Sequence, residues 1–250
     1  MTATFPNAFA GRTVVVTGAD RGIGAAVARG FAAAGAAVVV HHRSGADAAA
    51  RLAAEIGGST VGGDIAEAGV AERLADAAVE RTGRLDVLVN NAALQPVSPL
   101  ATMTEAEWRE VIDTNIHGTF LCTQAAARRM EAGASIIHVA SIEASQPAFG
   151  HAHYSASKAA VRMHARSAAL ELGPLGIRVN SVSPGLVARP GLDEDWPEGV
   201  ARWHAAAPLG RLVQPDEVAA ACLFLASPLA AAVTGHDLVV DCGVSTHPTW

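Results

Sequence analysis

One tyrosine and one lysine, Tyr154 and Lys158, occur in the 250 residues of this chain. Every other strong cation is an arginine, and aromatic residues make up only 4% of the sequence. No basic excess exists: 18 Lys and Arg face 24 Asp and Glu, a formal charge of -6. Such a surface repels phosphate, which argues against nucleic acid as a partner. The three cysteines, Cys122, Cys222 and Cys242, form no CxxC pair, so neither a disulfide framework nor a zinc knuckle is expected, and a reducing, cytoplasmic setting is. The most apolar run, 218–233, is interrupted by Ser227-Pro228 and is too short to span a bilayer. The first twelve residues show no basic n-region or apolar core, so no export signal and no membrane partner are expected. A hydrophobic content of 50% excludes a disordered chain, and this length can bury a substantial core.

Strand and helix patterns alternate from end to end. Strands are expected near 12–17, 37–40, 59–62, 85–89, 135–140, 177–182 and 238–241. Helices are expected near 23–34, 46–56, 67–82, 104–130, 153–172 and 215–225, the fourth divided at Asn115 and Gly118. Continuous apolar strands separated by helices predict a parallel sheet covered on both faces. The fold class is therefore α/β, a single doubly wound sheet of Rossmann type with about seven strands. No linker or repeat divides residues 1–250, so one dinucleotide-binding and catalytic domain is expected, with a substrate lid near 186–206. Right-handed crossovers place the loops after Thr17, Val40, Val89, Ala140 and Val182 on one rim.

Those loops carry the unusual residues. TGADRGIG sets Gly18, Gly22 and Gly24 between the first strand and helix, where small residues let backbone N–H groups approach a pyrophosphate. Glycines between a strand and a helix also serve plain turns. The second strand ends VVVHHRS, without the Asp or Glu that grips a ribose 2′-hydroxyl. His41, His42, Arg43 and Ser44, helped by Arg21, would suit a 2′-phosphate, the lesser alternative being that Arg43 is an ordinary solvated cation. Asp64 and Asn90-Asn91-Ala92 follow the third and fourth strands. Asparagine in such loops often only braces the backbone, and this reading suits Asn90. Asn115, inside a helical stretch, needs a reason beyond propensity. Ser141 ends the fifth strand, and Tyr154 and Lys158 stand at i and i+4 in YSASK, on one helical face. A hydroxyl, a phenol and a cation meeting at a crevice form an acid/base constellation rather than a coincidence of neighbours.

With these motifs the chain resembles the short-chain dehydrogenase/reductase family. The resemblance runs from Gly11 to Gly243 through TGADRGIG, Asp64, NNAA at 90–93, Asn115, Ser141, YSASK, SPG at 183–185 and the tail GRLVQPDEVAAACLFLAS. It implies that Tyr154 exchanges a proton with the substrate oxygen and that Ser141 orients that oxygen. It further implies that Lys158 lowers the phenol pKa and holds the nicotinamide ribose, and that Asn115 holds a water passing protons onward. Cofactor contacts are implied at Gly18, Arg21, Gly22, Ile23, Gly24, His42, Arg43, Ser44, Asp64, Ile65, Asn91, Ala92, Tyr154, Lys158, Pro184, Gly185 and Val187. The cofactor expected is NADP(H) ahead of NAD(H). The sequence departs from the family pattern at Ala93 and Cys242, where Gly is usual, and at Arg189, where a Thr commonly contacts the carboxamide.

Around the catalytic trio, Gln95, Glu143, His151 and His153 suggest a polar crevice, and with Ser141 and Tyr154 they suit a polyhydroxylated substrate better than an acyl chain. The segments SIEASQPAFGHAHYSASK and VDCGVSTHPTW look most like sugar dehydrogenases of the family. His-x-His with Glu143 lacks a third well-placed histidine, so no metal is expected. Trp196 and Trp203 fall in the lid, Trp108 reads as helix packing, and Trp250 as an apolar tail for a neighbouring subunit. The leading function is an NAD(P)-dependent oxidoreductase interconverting a small secondary alcohol, or sugar hemiacetal, and a carbonyl. A 3-oxoacyl thioester reductase and a non-catalytic dinucleotide-binding regulator are the alternatives. Helices 104–130 and 153–172 are apolar around more of their circumference than one sheet covers, which predicts a homotetramer.

Overall fold

The computed structural model describes residues 7–246. Its order is β1 (Thr13–Val16), α1 (Gly22–Ala33), β2 (Ala37–His42), α2 (Ala46–Ile56), β3 (Ser59–Gly62), α3 (Val70–Thr82), β4 (Val87–Asn90) and α4 (Glu105–Ile112). It continues with α5 (Gly118–Ala127), β5 (Ser135–Val139), α6 (Ala152–Leu172), β6 (Arg178–Pro184), α7 (Leu192–Asp195), α8 (Pro197–Ala206), α9 (Pro215–Ala226) and β7 (Asp237–Val240). The seven strands pair in the order β3-β2-β1-β4-β5-β6-β7, all parallel. The doubly wound α/β expectation is met. The chain reverses its winding between β1 and β4, where such sheets open a crevice.

Strand alternation divides the core into two layers. Val14, Val16, Val38, Val40 and Val89 pack under α1, α2 and α9, while Val15, Val39, Leu88, Ile136 and Val179 pack under α3, α5 and α6. Both faces are apolar because both are covered, hence the valine runs. No helix among the described residues is long and apolar enough to cross a membrane.

β6 runs on to Pro184 and the 186–206 region carries the short helices α7 and α8, neither of which was expected, and three further boundaries differ for local reasons. The third helix begins at Val70 rather than 67 because Gly69 takes a left-handed N-cap, φ +83°. The fourth helical stretch opens on a Thr104–Glu107 capping box and then splits into α4, a π-helical turn at Asp113–His117, and α5, which ends at Ala127. The second strand runs on through His41 and His42 because they pair with Val61 and Gly62 of β3.

Candidate active site

At the carboxyl ends of β1, β2 and β4 lies a crevice of about 280 Å³. Gly18, Arg21, Gly22, Ile23, Arg43, Ser44, Asp64, Ile65, Asn91 and Ala92, all candidates from the sequence, line it together with His41 and Asp20. Helix α1 starts here with no side-chain cap, leaving its first N–H groups free for an anion. Gly24 permits the close turn: a Cβ there would lie 2.3 Å from the Gly18 carbonyl oxygen and 2.6 Å from Asn91 Nδ2. Asn91 Nδ2 donates to the carbonyl oxygens of Thr17 (2.9 Å) and Gly18 (2.8 Å), and Thr17 Oγ1 accepts from the N–H groups of Asn91 and Ala92. An uncapped helix end above a glycine cradle fits a dinucleotide pyrophosphate. Asn90 turns the other way, donating to Thr123 Oγ1 and His138 Nδ1 inside the core.

His42 is a correction. Consecutive strand residues face opposite sides, so with β2 extended through both histidines only one can face the crevice. It is His41, whose Nδ1 accepts from Gly18 N–H (3.0 Å) and whose Nε2 donates to the Gly63 carbonyl (2.9 Å). His42 instead lies over β3, its ring 2.9 Å from where a Gly62 Cβ would stand. Burial pushes the His41 pKa down, so the ring adds hydrogen bonds and no charge.

A second cavity, of about 500 Å³, shares Ile23, Asn91 and Ala93 with the first and is lined by Ser141, Tyr154, Lys158, Pro184, Gly185 and Val187. Ser141 caps the turn after β5, its Oγ accepting Glu143 N–H at 3.1 Å. Tyr154 and Lys158 rise from the first turns of α6, both buried. Burial raises the phenol pKa and the Glu143 charge adds to it, while the hydrogen bond with Ser141 opposes them. Desolvation lowers Lys158 to about 8. Its Nζ sits 5.5 Å from the Tyr154 ring centroid and donates to the Val139 carbonyl.

Asn115 has its reason in the π turn. Its Oδ1 accepts Leu94 N–H (2.7 Å), and its Nδ2 donates to the Leu94 carbonyl (3.0 Å) and to Ser157 Oγ (2.9 Å). The side chain thus joins the loop after β4 to α6, between Tyr154 and Lys158.

Glu143 gathers the polar rim: Gln95 Nε2 donates to it at 2.9 Å, Ser155 Oγ at 3.2 Å, and His151 Nδ1 lies 3.0 Å away. His153 does not join them. His151 is the N-cap of α6, whereas His153 lies in its first turn and points inward, fully buried, its Nδ1 accepting Tyr154 N–H. Trp196 and Trp203, from α7–α8, line the same cavity. Arg189 is ion-paired with Asp195 at 2.6 Å. Cys242 takes φ +56°, a left-handed backbone that favours Gly, the residue the family resemblance leads one to expect there. Trp250 lies outside the described residues.

Thr17, Asp20, Leu94 and Thr114 escaped the sequence reading. Thr17 sits inside the glycine motif, and only its two accepted N–H groups reveal its part. Asp20 is a carboxylate within a turn suited to phosphate.

The fold and this site define a dinucleotide-dependent oxidoreductase. A family model described as enoyl-(acyl carrier protein) reductase matches residues 18–245, and the chain belongs to the short-chain dehydrogenase/reductase family. It is 42% identical over 246 residues to an L-rhamnose 1-dehydrogenase (NAD(P)(+)) of Azotobacter vinelandii, covering 93% of this chain and 96% of that one. It is 38% identical over 242 residues to a D-threitol dehydrogenase of Mycolicibacterium smegmatis, covering 93% and 92%. A short-chain dehydrogenase from Burkholderia cenocepacia, solved in complex with NADP, superposes with a TM-score of 0.88 at 30% identity over 95% of this chain and 99% of that chain.

Proposed function

We propose that this enzyme interconverts a secondary alcohol or sugar hemiacetal and the corresponding carbonyl with NADP(H), and with NAD(H) less well. One observation carries the reading: Ser141, Tyr154 and Lys158 line a cavity that shares Ile23, Asn91 and Ala93 with the glycine-cradled crevice. The nicotinamide supplies or takes the hydride. Ser141 and Tyr154 converge on the substrate oxygen, and Tyr154 gives it a proton in reduction and takes one in oxidation. A phenol held protonated by burial is the form that donates. Lys158 would hold the ribose hydroxyls, and it places a cation beside the phenol. Asn115 acts as a positioning residue for α6 through Ser157. Arg43, Ser44 and Arg21 support the 2′-phosphate preference.

Gln95, Glu143 and His151 would meet substrate hydroxyls, under a lid formed by 186–206 and its two tryptophans. That polar rim favours a polyol or sugar over an acyl thioester, and the complete trio favours an enzyme over a regulator. Turnover of a panel of sugars, polyols, ketones and 3-oxoacyl thioesters, followed by nicotinamide absorbance, tests this. Turnover confined to thioesters overturns the sugar reading.

Assembly as a homotetramer is supported by exposed Trp108, Phe120, Met163 and Leu170 on α4–α6 and by exposed Val239 on the edge strand β7. Light scattering decides it, a mass of 25.4 kDa being the monomer that refutes it. Three free, buried cysteines support a reducing, cytoplasmic setting.

A further inference from the structure

The end of β2 carries no acid, yet the crevice contains one there. The first loop folds back over the strand end, Ala19 N–H donating to the His41 carbonyl at 2.8 Å, and this brings Asp20 against Gly45. The approach is so close that a Cβ on Gly45 would stand 2.3 Å from Asp20 Oδ2 and 2.8 Å from its Cγ. Glycine at 45 therefore makes room for the carboxylate, and it does so without a left-handed backbone, since its φ is -87°. Asp20 is half-buried and lines the crevice beside Arg43 and Ser44. Gly45 is the N-cap of α2 and has no side chain to cap it with. Asp64, by contrast, is held by Arg43 at 3.6 Å and by Ala66 N–H at 2.9 Å.

We infer that Asp20 is a cofactor-selectivity residue, supplying from the first loop the ribose-hydroxyl acceptor that β2 lacks, so that the crevice admits NAD(H) beside NADP(H). The charges agree. Arg21 and Arg43 contribute two positive charges to the crevice, Asp20 and Asp64 two negative, and His41, accepting at Nδ1, none. A 2′-phosphate brings a charge of about −2 into this balanced ring, whereas a 2′-hydroxyl brings a proton for a carboxylate to accept. Removing the Asp20 charge leaves a net cation and tilts the crevice toward the phosphate.

The inference rests on the dinucleotide reading of the crevice but not on the chemistry of Tyr154, so its test needs no turnover. The full-length protein and Asp20→Asn are titrated calorimetrically with adenosine 5′-monophosphate and with adenosine 2′,5′-bisphosphate. A charge-assisted hydrogen bond lost on one side and a repulsion relieved on the other should shift the ratio of the two Kd values at least about tenfold toward the bisphosphate. Gly45→Ala, whose methyl displaces the carboxylate, should shift it the same way. A ratio within about twofold of wild type in both variants, or an equal weakening of both ligands, overturns the role given to Asp20. Failure of the unaltered protein to bind either nucleotide overturns the dinucleotide reading itself, and this inference with it.

Discussion

The Lys158 ammonium donates a 2.7 Å hydrogen bond to the carbonyl oxygen of Val139, the last residue of β5. Val139 precedes the Ala140–Ser141 step out of the strand, so one contact ties the helix carrying the phenol to the strand end carrying the hydroxyl. Lys158 is fixed there without a carboxylate partner. Burial desolvates the ammonium, outweighing the nearby Glu143 charge, and pushes its pKa from 10.5 down to about 8.

Tyr154→Phe should abolish turnover while leaving cofactor affinity within a few-fold, since only the proton donor is lost. Steady-state kinetics alongside calorimetric cofactor titration measure the two separately. Retention of more than about a tenth of wild-type kcat would remove Tyr154 from the acid/base role.

Lys158 predicts a pH profile. Carbonyl reduction should decline as pH rises through about 8, where the ammonium loses its charge. Lys158→Ala should lower both kcat and cofactor affinity and erase that decline. Stability should move the opposite way. The unfolded lysine, at 10.5, binds a proton that the folded one has released between about 8 and 10.5, so Lys158 favours folding increasingly as pH rises through this window. Thermal unfolding of the wild type and Lys158→Met across these pH values should show the rise only in the wild type.

Arg43→Asp should turn the preference toward NAD(H), because a carboxylate repels the 2′-phosphate and accepts from the 2′-hydroxyl. It also breaks the pair with Asp64 and leaves two acids facing each other. A drop in kcat/KM for NADP of about tenfold or more is expected, with NAD less affected. Higher kcat/KM for NAD than for NADP in the unaltered enzyme would refute the Arg43 assignment.

A buried histidine chain predicts acid sensitivity. His138 lies fully buried in β5, its Nδ1 accepting from Asn90 and its Nε2 3.0 Å from His164 Nδ1 on α6. Burial, with His164 and Lys158 nearby, holds its pKa down to about 3. The unfolded histidine, at 6.5, takes up a proton that the folded one refuses. Stability should therefore fall as pH drops from about 6.5 toward 3, at up to about 1.4 kcal/mol per pH unit from this residue. Denaturant unfolding of His138→Gln should show a shallower acid dependence. An unchanged slope would mean His138 protonates within the fold.

Much of the molecule was legible in advance because its signals are local. The valine runs dictated buried strands, Gly83 and Gly57 in left-handed C-caps stopped their helices, and YSASK put phenol and cation on one face whatever surrounded them. Asn115 was visible as misplaced, but a π turn that joins Leu94 to Ser157 depends on two segments distant in sequence.

By itself, then, the sequence determined the order of strands and helices, the glycine cradle and the Tyr154–Lys158 pair, since periodicity and turn chemistry act within a few residues. Tertiary structure alone decided which side chains entered the crevice. His41 enters and His42 does not because β3 extends the register of β2 by two residues. His151 meets Glu143 and His153 does not because the start of α6 sets their phase. Asp20 comes against Gly45 and lines the crevice because the first loop folds back over the end of β2. Orientation at element ends is a property of pairing and crossing, and these exist only once the chain has folded.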